Sequence, residues 1–205
     1  MKTINKLIFS GIVASLLFIS CPAFALEWKG GVDFMVGKKE MDSDWKPVDS
    51  WREFGIMLSF TEADLPFGIT AGYLTGNDDN LSVSGQRGIN VDGKTDEFLL
   101  GIRKDFAPAG SDYFRAYING GYTGIKWSLE TTVTENGAAT SSSELDDWAH
   151  GFWLGGGMYF IFAKNAAIGI DYKYTDASSD IKTTFGNRTL EAGGSHYSVF
   201  AGWRF

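Results

Sequence analysis

The sequence is poor in cysteine, proline, basic residues and long apolar runs, and each shortage limits what the protein can be. One cysteine and four prolines occur among 205 residues, and the formal net charge is −7. This charge excludes the basic footprint of a nucleic-acid-binding protein. The longest apolar stretch after residue 25, Gly151 to Ala163, is too short for a membrane helix, which needs about 20 apolar residues, and glycine interrupts it. A membrane-spanning form of this chain must therefore cross with strands.

The first 25 residues have the pattern of a secretory signal peptide. Lys2 and Lys6 precede a short apolar run, and Ala23-Phe24-Ala25 forms a cleavage site. Residues 1–25 are therefore predicted to be a signal peptide and residues 26–205 one domain. Removing the signal takes away two lysines and the only cysteine, Cys21, so the remaining chain has a net charge of −9 and obtains no stability from disulfides. The alternatives are an N-terminal anchor and a lipoprotein cleaved before Cys21.

Period-two alternation of apolar residues predicts eight strands of about ten residues, which is the length that crosses a bilayer at a tilt. Twenty-six glycines and abundant aromatic residues also favour sheet. The predicted connections alternate between long polar loops at 38–49, 77–95, 134–146 and 175–194 and short turns at 62–66, 107–112 and 163–166. This alternation is typical of transmembrane barrels, with short periplasmic turns and longer external loops. The predicted fold is an all-β, eight-stranded antiparallel up-and-down transmembrane β-barrel with both termini in the periplasm.

The distribution of charge supports a lipid-facing surface. One predicted face contains only Arg52 and Lys104 as charges, each near a strand end, and no acid. An Arg or Lys at the midplane of such a barrel costs about 2–4 kcal/mol. The alternative is a secreted lipocalin-like barrel, in which the apolar face would point inward.

The last strand carries the most specific pattern. Apolar residues occupy every second position from Tyr197 through Trp203 to Phe205. This ending resembles the C-terminal signature of small bacterial outer-membrane barrels of the OmpA, OmpX and OmpW types. The resemblance implies that Tyr197, Trp203 and Phe205 are an assembly signal read by the barrel-assembly machinery. It also implies a location in the Gram-negative outer membrane, in contact with its lipid and lipopolysaccharide.

The opposite face is predicted to line the lumen and carries nearly balanced charge. Its acids and bases are Glu27, Asp33, Glu53, Glu97, Asp105 and Asp171 against Lys29, Arg103, Arg115, Lys173 and Arg204. Buried ions need partners, so these charges are expected to pair and close the lumen. Strand order predicts a Glu27–Arg204 pair and an Asp105–Arg115 pair. Function is then expected in the four external loops, as a structural or adhesin-like surface element.

Two alternatives remain open. Inward glycines and Met35, Met57, Leu74 and Leu99 would suit a narrow channel for small or hydrophobic solutes, as in OmpW-type barrels. His196-Tyr197-Ser198 resembles the H-x-S core of lipid A deacylases on small barrels, which would make His196 and Ser198 catalytic. No acid follows to orient the histidine, and the expected protein is not an enzyme. The sequence predicts no metal site, no cofactor and no nucleic-acid partner.

Overall fold

Strands account for most of the chain that the computed structural model describes. The described residues are 28–41, 50–62, 65–84, 87–108, 111, 113–135, 138–183 and 186–205. The predicted signal peptide and Glu27 lie outside them. In the described residues, no helix is both long and apolar enough to cross a membrane.

Nine strands are formed by these residues. They are β1 (Trp28–Met41), β2 (Ser50–Glu62), β3 (Gly68–Ser84), β4 (Arg87–Phe106), β5 (Phe114–Glu135), β6 (Ala138–Phe162), β7 (Ala166–Thr183), β8 (Gly186–Glu191) and β9 (Gly194–Arg204). Each strand from β1 to β7 pairs with the next in antiparallel fashion. β9 lies between β7 and β1 and closes the ring. β8 pairs with the outer part of β7. The eight-stranded antiparallel barrel is therefore confirmed, with β8 as an extension of its last hairpin.

The two faces of the strands have the predicted polarity. Phe152 and Leu154 point outward and are 73% and 70% exposed, whereas Met35 and Leu74 point inward and are 4% and 1% exposed. The apolar face is thus on the outside, and the lipocalin-like alternative is wrong. Aromatic side chains gather on the outer face at the end of the barrel with the short turns, where Phe60, Phe67, Phe106, Phe162, Trp203 and Phe205 are exposed. Such belts mark the boundaries of a lipid layer.

Strand lengths differ from the sequence prediction. The stretches predicted as loops at 77–95 and 134–146 are mostly strand, because β3 continues to Ser84, β4 begins at Arg87 and β5 and β6 reach Glu135 and Ala138. Outside the lipid layer, the outer face of a paired strand need not be apolar, so period-two hydrophobicity weakens while backbone pairing continues. The 175–194 stretch contains the end of β7 and all of β8 for the same reason. The 38–49 prediction is wrong for Lys38 to Met41, which belong to β1; the rest of it lies outside the described residues.

We call the two ends of the barrel the turn end, with the short connections, and the hairpin end. At the hairpin end, β3 to β6 rise far beyond their neighbours and form a four-stranded wall, which comprises residues 78–84, 87–96, 126–135 and 138–149. β2 pairs with β3 only as far as Asn77, and β7 pairs with β6 only from His150. Among the described residues, therefore, no neighbouring barrel strand pairs with the two edges of the wall.

Candidate functional site

The lumen is filled by side chains in alternating ionic and apolar layers. Along β1, the inward side chains lie in successive layers of the lumen. Those of Asp33, Met35, Lys39 and Met41 are all buried. An eight-stranded barrel has an interior just wide enough for side chains to fill it. The layers therefore determine the charge and the packing of the interior.

The turn-end ion network consists of Asp33, Arg103, Asp105 and Arg204. Arg204 donates to both oxygens of Asp33 at 2.6 and 3.2 Å. Arg103 donates to both oxygens of Asp105 at 2.9 and 3.0 Å and lies 3.7 Å from Asp33. Tyr159 adds a hydrogen bond to Asp105 at 2.9 Å. Two arginines thus balance two carboxylates, as a buried network requires.

A third acid–base pair, Asp171 and Lys173, lies on β7. The ammonium of Lys173 donates to Asp171, which also accepts a 2.5 Å hydrogen bond from the hydroxyl of Tyr117. The guanidinium of Arg103 lies 3.7 Å above the centre of the Tyr117 ring. Tyr117 therefore links this pair to the turn-end ion network.

The hairpin-end cluster contains Lys39, Glu53, Glu97 and His196, all between 0% and 2% exposed. Lys39 donates to Glu97 at 3.0 Å, and Nδ1 of His196 lies 2.9 and 3.0 Å from the two carboxylate oxygens of Glu53. Nε2 of His196 is 3.1 Å from the Thr175 hydroxyl and 3.6 Å from Glu97. The four side chains form one continuous polar chain across the lumen.

Apolar layers pack against these groups. One buried cluster consists of Met35, Met57, Leu74, Leu99, Tyr117, Trp153, Tyr159, Ala167 and Phe200. A second, towards the hairpin end, consists of Met41, Trp51, Ile125, Trp127, Ala149, Ala177 and Ala192. Aromatic rings from these clusters occupy the space beside some of the inward glycines, with Trp153 at Gly101, Tyr117 at Gly157 and Phe200 at Gly169.

Glu53, Glu97 and His196 are the group of described residues with metal-ligand geometry, since their ligand atoms lie within 4.8 Å of one another. Two carboxylates and an imidazole could bind a transition metal. However, Lys39 already places an ammonium 3.0 Å from Glu97. A cation would have to displace it, so the arrangement fits an ion-pair cluster better than a metal centre.

Several sequence-predicted site residues have partners other than those expected. Asp105 does not pair with Arg115, which instead donates to the backbone oxygens of Ser111 and Phe114. The reason is register: Asp105 stands opposite Tyr117, and β4 ends at Phe106 opposite Ala116, so Arg115 extends beyond it. Glu27 lies outside the described residues, and Arg204 binds Asp33.

His196 and Ser198 both face the lumen and are buried. The ring nitrogens of His196 are directed to Glu53 and Thr175. Sequence reasoning assigned His196 to a weak catalytic motif and placed Lys39 in a loop, so it missed the hairpin-end cluster. Every second residue of β1 faces the lumen, from Asp33 through Met35 to Lys39. Continuing this alternation would have predicted that Lys39 faces inward.

The residues of the predicted assembly signal lie on the outer face. Tyr197, Trp203 and Phe205 are 49%, 52% and 60% exposed. Phe205 continues the seam between β9 and β1 through two backbone hydrogen bonds with Gly30, at 2.8 and 3.0 Å. The signature is therefore a lipid-facing strip at the closure of the barrel.

A closed barrel with an apolar outer face and a packed polar lumen defines the class of small outer-membrane barrels. A model of the family described as outer membrane protein beta-barrel domain matches residues 11–205, and the chain belongs to this family. No curated protein matches the chain in sequence.

Solved structures of outer-membrane proteins share the fold. The attachment invasion locus protein Ail of Yersinia pestis is 16% identical, with a TM-score of 0.52 over 89% of this chain and 100% of that chain. OprG of Pseudomonas aeruginosa is 16% identical, with a TM-score of 0.52 over 88% and 96%. A major outer membrane protein of Thermus thermophilus is 12% identical, with a TM-score of 0.57 over 87% and 99%. The predicted resemblance to small outer-membrane barrels is confirmed, and at these identities the likeness concerns the fold.

Proposed function

We propose that this outer-membrane protein is a surface-interaction element that binds a partner through its wall. The observation that carries the proposal is the height of β3 to β6 beyond the apolar band. A hairpin of 22- and 25-residue strands, β5 and β6, is far longer than a bilayer requires. Rigid scaffolds commonly present their functional surfaces in this way.

The proposal includes an orientation, with the hairpin end outside the cell and both termini in the periplasm. Short turns typically lie on the periplasmic side of such barrels. Trp28, the first described residue, pairs with Glu62 at the turn end, and Phe205 lies beside Gly30 at the same end. In this orientation Trp203 and Phe205 would lie at the periplasmic end, where the assembly machinery could read them during insertion, and Tyr197 would lie towards the hairpin end of the same strand.

The edge formed by residues 138–149 of β6 supports binding of an extended polypeptide. These residues pair with β5 on one side, and no described strand pairs with them on the other. An open edge offers backbone hydrogen-bonding groups to which an extended segment can add as a further strand. Charged residues on this edge, including Glu144 and Asp146, would limit pairing to a partner of opposite charge.

The charge of the wall defines the class of partner. Where its side chains are described, it carries six acids, Asp92, Asp96, Glu130, Glu144, Asp146 and Asp147, against Lys94 and Lys126. The Ail structure was also solved in complex with the heparin analogue sucrose octasulfate, a polyanion, at 15% identity and a TM-score of 0.51 to this chain. An acidic wall repels polyanions. We therefore expect a protein surface with exposed Lys or Arg rather than a sulfated polysaccharide.

The test is to shorten the β5–β6 hairpin at two residues that stand opposite each other in the strand pair. Ser128 stands opposite Asp146, so residues 129–145 can be replaced by an Asn-Gly turn without altering the barrel. Cells that display the shortened protein should lose attachment to surfaces coated with basic proteins.

The matched control shortens the β3–β4 hairpin at Asp78 and Gly93, which also stand opposite each other. This deletion leaves the β6 edge in place, so attachment should persist. The parent protein and the two shortened proteins are compared at equal surface levels. Equal attachment by all three would refute the proposed function.

The lumen supports a structural rather than a transporting interior. Its buried charged side chains have ion-pair or hydrogen-bond partners, and two apolar clusters pack against them. The contact between His196 and Glu53 lies in a buried layer of the lumen, away from lipid. This position does not support catalysis by His196 and Ser198. We propose a largely plugged, ion-paired barrel.

A further inference from the structure

The pairing between β6 and β7 stops at His150 opposite Ser178, and both strands continue beyond this point. β6 continues through residues 138–149, where its described partner is β5. β7 continues through residues 179–183 and pairs there with β8, which lies on the β9 side of β7. Among the described residues, nothing pairs with the facing sides of these two segments. We call the opening between residues 138–149 and 179–183 the notch.

Each side of the notch is a strand edge. Along a strand, the N–H and C=O groups of successive residues point to opposite sides. One set in each segment pairs with β5 or β8, so the other set is directed into the notch. The shorter segment, residues 179–183, spans about 16 Å. One extended segment of that length could pair with both edges at once, whereas an ordinary open edge offers pairing on one side only.

A tryptophan closes the lumen side of the notch. Trp127 of β5 stands opposite Asp147, and its indole N–H donates to the Ser179 hydroxyl at 3.3 Å. This contact reaches from β5 beneath β6 to β7, and the side chains of Trp127 and Ser179 are buried. The notch is therefore a slot in the wall of the barrel rather than an entrance to the lumen.

The inward row above this contact is largely apolar. Leu145 of β6 lies in this row opposite Leu129 and is 47% exposed. Leu190 of β8 stands opposite Ser179, on the other side of the notch. Leu129 and Leu190 are half-buried against the second apolar cluster. A strand inserted into the notch would cover Leu145 with its own inward side chains.

The charge of the notch is negative. Glu144 and Asp146 of β6 and Asp180 of β7 are exposed on the outward face. In the sequence, the two segments contain four acids and one base, Lys182, and β8 adds one acid and one base. Lys126 of β5 lies 3.7 Å from Asp146 and offsets one of the acids. The notch therefore combines an apolar inward row with a net negative charge.

We propose that the notch binds an extended polypeptide segment in which Lys or Arg alternates with apolar residues, inserted as a strand between β6 and β7. Its basic side chains lie beside Glu144 and Asp180 in the outward row, and its apolar side chains contact Leu145. Successive side chains of a strand point to opposite faces, so this alternation matches the two rows. The site rests on the proposed surface function and adds to it the position and the sequence pattern of the bound segment.

The test titrates a short peptide of alternating Lys and Val into the protein extracted from outer membranes in mild detergent, at physiological salt. In a strand, the N–H groups of the lysines point to one edge and those of the valines to the other. N-methylation of either set therefore blocks pairing with one side of the notch. Each methylated peptide should bind about tenfold more weakly than the unmodified peptide, because several hydrogen bonds are lost. Failure of the unmodified peptide to bind, or full affinity of either methylated peptide, overturns the insertion.

Charge reversal on the β7 side provides a second measurement. Asp180→Lys should weaken binding of the unmodified peptide by about tenfold, since an attraction is replaced by a repulsion. Asp176→Lys is the matched control, because Asp176 lies on the same face of β7 but opposite Phe152, where β6 and β7 are paired. Salt screens a charge at that distance, so affinity should be unchanged. Equal affinities of the two variants would contradict the proposed site.

Failure of the notch and failure of the proposed function give different results. If shortening the β5–β6 hairpin abolishes cell attachment while one methylated peptide keeps full affinity, the partner pairs with a single edge and the notch is not its site. If the shortened and parent proteins attach equally, the surface function is refuted. The peptide titration in detergent still reports whether the notch accepts a strand.

Discussion

At the scale of single residues, the hairpin-end cluster is the most consequential feature of the lumen. Lys39 and His196 are fully buried, yet each contacts a carboxylate. A buried charge without a partner is far more costly than the intact pair is stabilising. Single substitutions in this cluster should therefore be much more damaging than the small net value of an ion pair suggests.

Lys39→Met tests this asymmetry. It removes the ammonium 3.0 Å from Glu97 and should lower the free energy of unfolding by about 3–5 kcal/mol. The measurement is urea unfolding of the protein in lipid vesicles. Adding Glu97→Gln should recover much of the loss, because the unpaired charge is then removed as well.

The adjacent residue provides the control. Lys38 pairs with Glu40 at 2.8 Å on the exposed outer face. Lys38→Met should cost less than about 1 kcal/mol, as exposed pairs do. Similar losses for Lys38→Met and Lys39→Met would show that the buried cluster does not carry the stability assigned to it.

The site was only partly predictable from single residues. Asp171 and Lys173 share a face because they are two apart on a strand, and the structure does bring them together. Asp105 and Arg115 are separated by a turn, and Asp105 stands opposite Tyr117, two residues beyond Arg115, so the two charges have different partners. Alternation predicts which face a side chain occupies, but its partner depends on register, which sequence periodicity does not specify.

At the scale of strands, the closure between β1 and β9 is sterically tight. Gly37 stands opposite Ser198, and a Cβ at Gly37 would clash with the backbone oxygen of Tyr197 and would lie 2.5 Å from the hydroxyl of Ser198. Backbone groups cannot move aside without disturbing the ladder. Glycine at this position is therefore part of the closure of the barrel.

Gly37→Ala should lower the free energy of unfolding by about 1–3 kcal/mol, as overpacking does. Gly124→Ala is the control, because a Cβ there would approach other atoms no closer than 3.7 Å. The second variant should fold with unchanged stability. If both variants unfold at the same urea concentration as the parent, the closure is not limited by this contact.

The strands were predictable where contact with lipid imposes an alternation of apolar residues. They were not predictable where the strands extend beyond the lipid. The eight spanning segments follow from apolar residues at every second position, as Phe98, Leu100 and Ile102 illustrate on β4. The wall has no such pattern, since its strands face water on the outside. Its backbone pairing between β4 and β5, from Arg87 opposite Glu135 down to Asp96 opposite Lys126, became visible only in the structure.

At the scale of the whole molecule, the lumen and the wall are distinct regions. The lumen is filled by side chains, whereas the wall, which we propose as the binding surface, extends beyond the apolar band. Membership of the outer-membrane family fixes the location but not the partner. The lumen can therefore be tested without knowing what the wall binds.

A lumen filled by side chains should block the flow of ions. Protein inserted into planar bilayers should give no discrete single-channel currents, because Trp127 and Trp153 are 0% and 3% exposed and lie in different apolar clusters. Replacing both by alanine would remove a large buried side chain from each cluster, and this double variant should conduct. Reproducible current steps from the parent protein, with an ion selectivity that changes in Asp171→Ala or Arg115→Ala, would refute the plugged barrel. They would instead establish a narrow conduit lined by the paired charges.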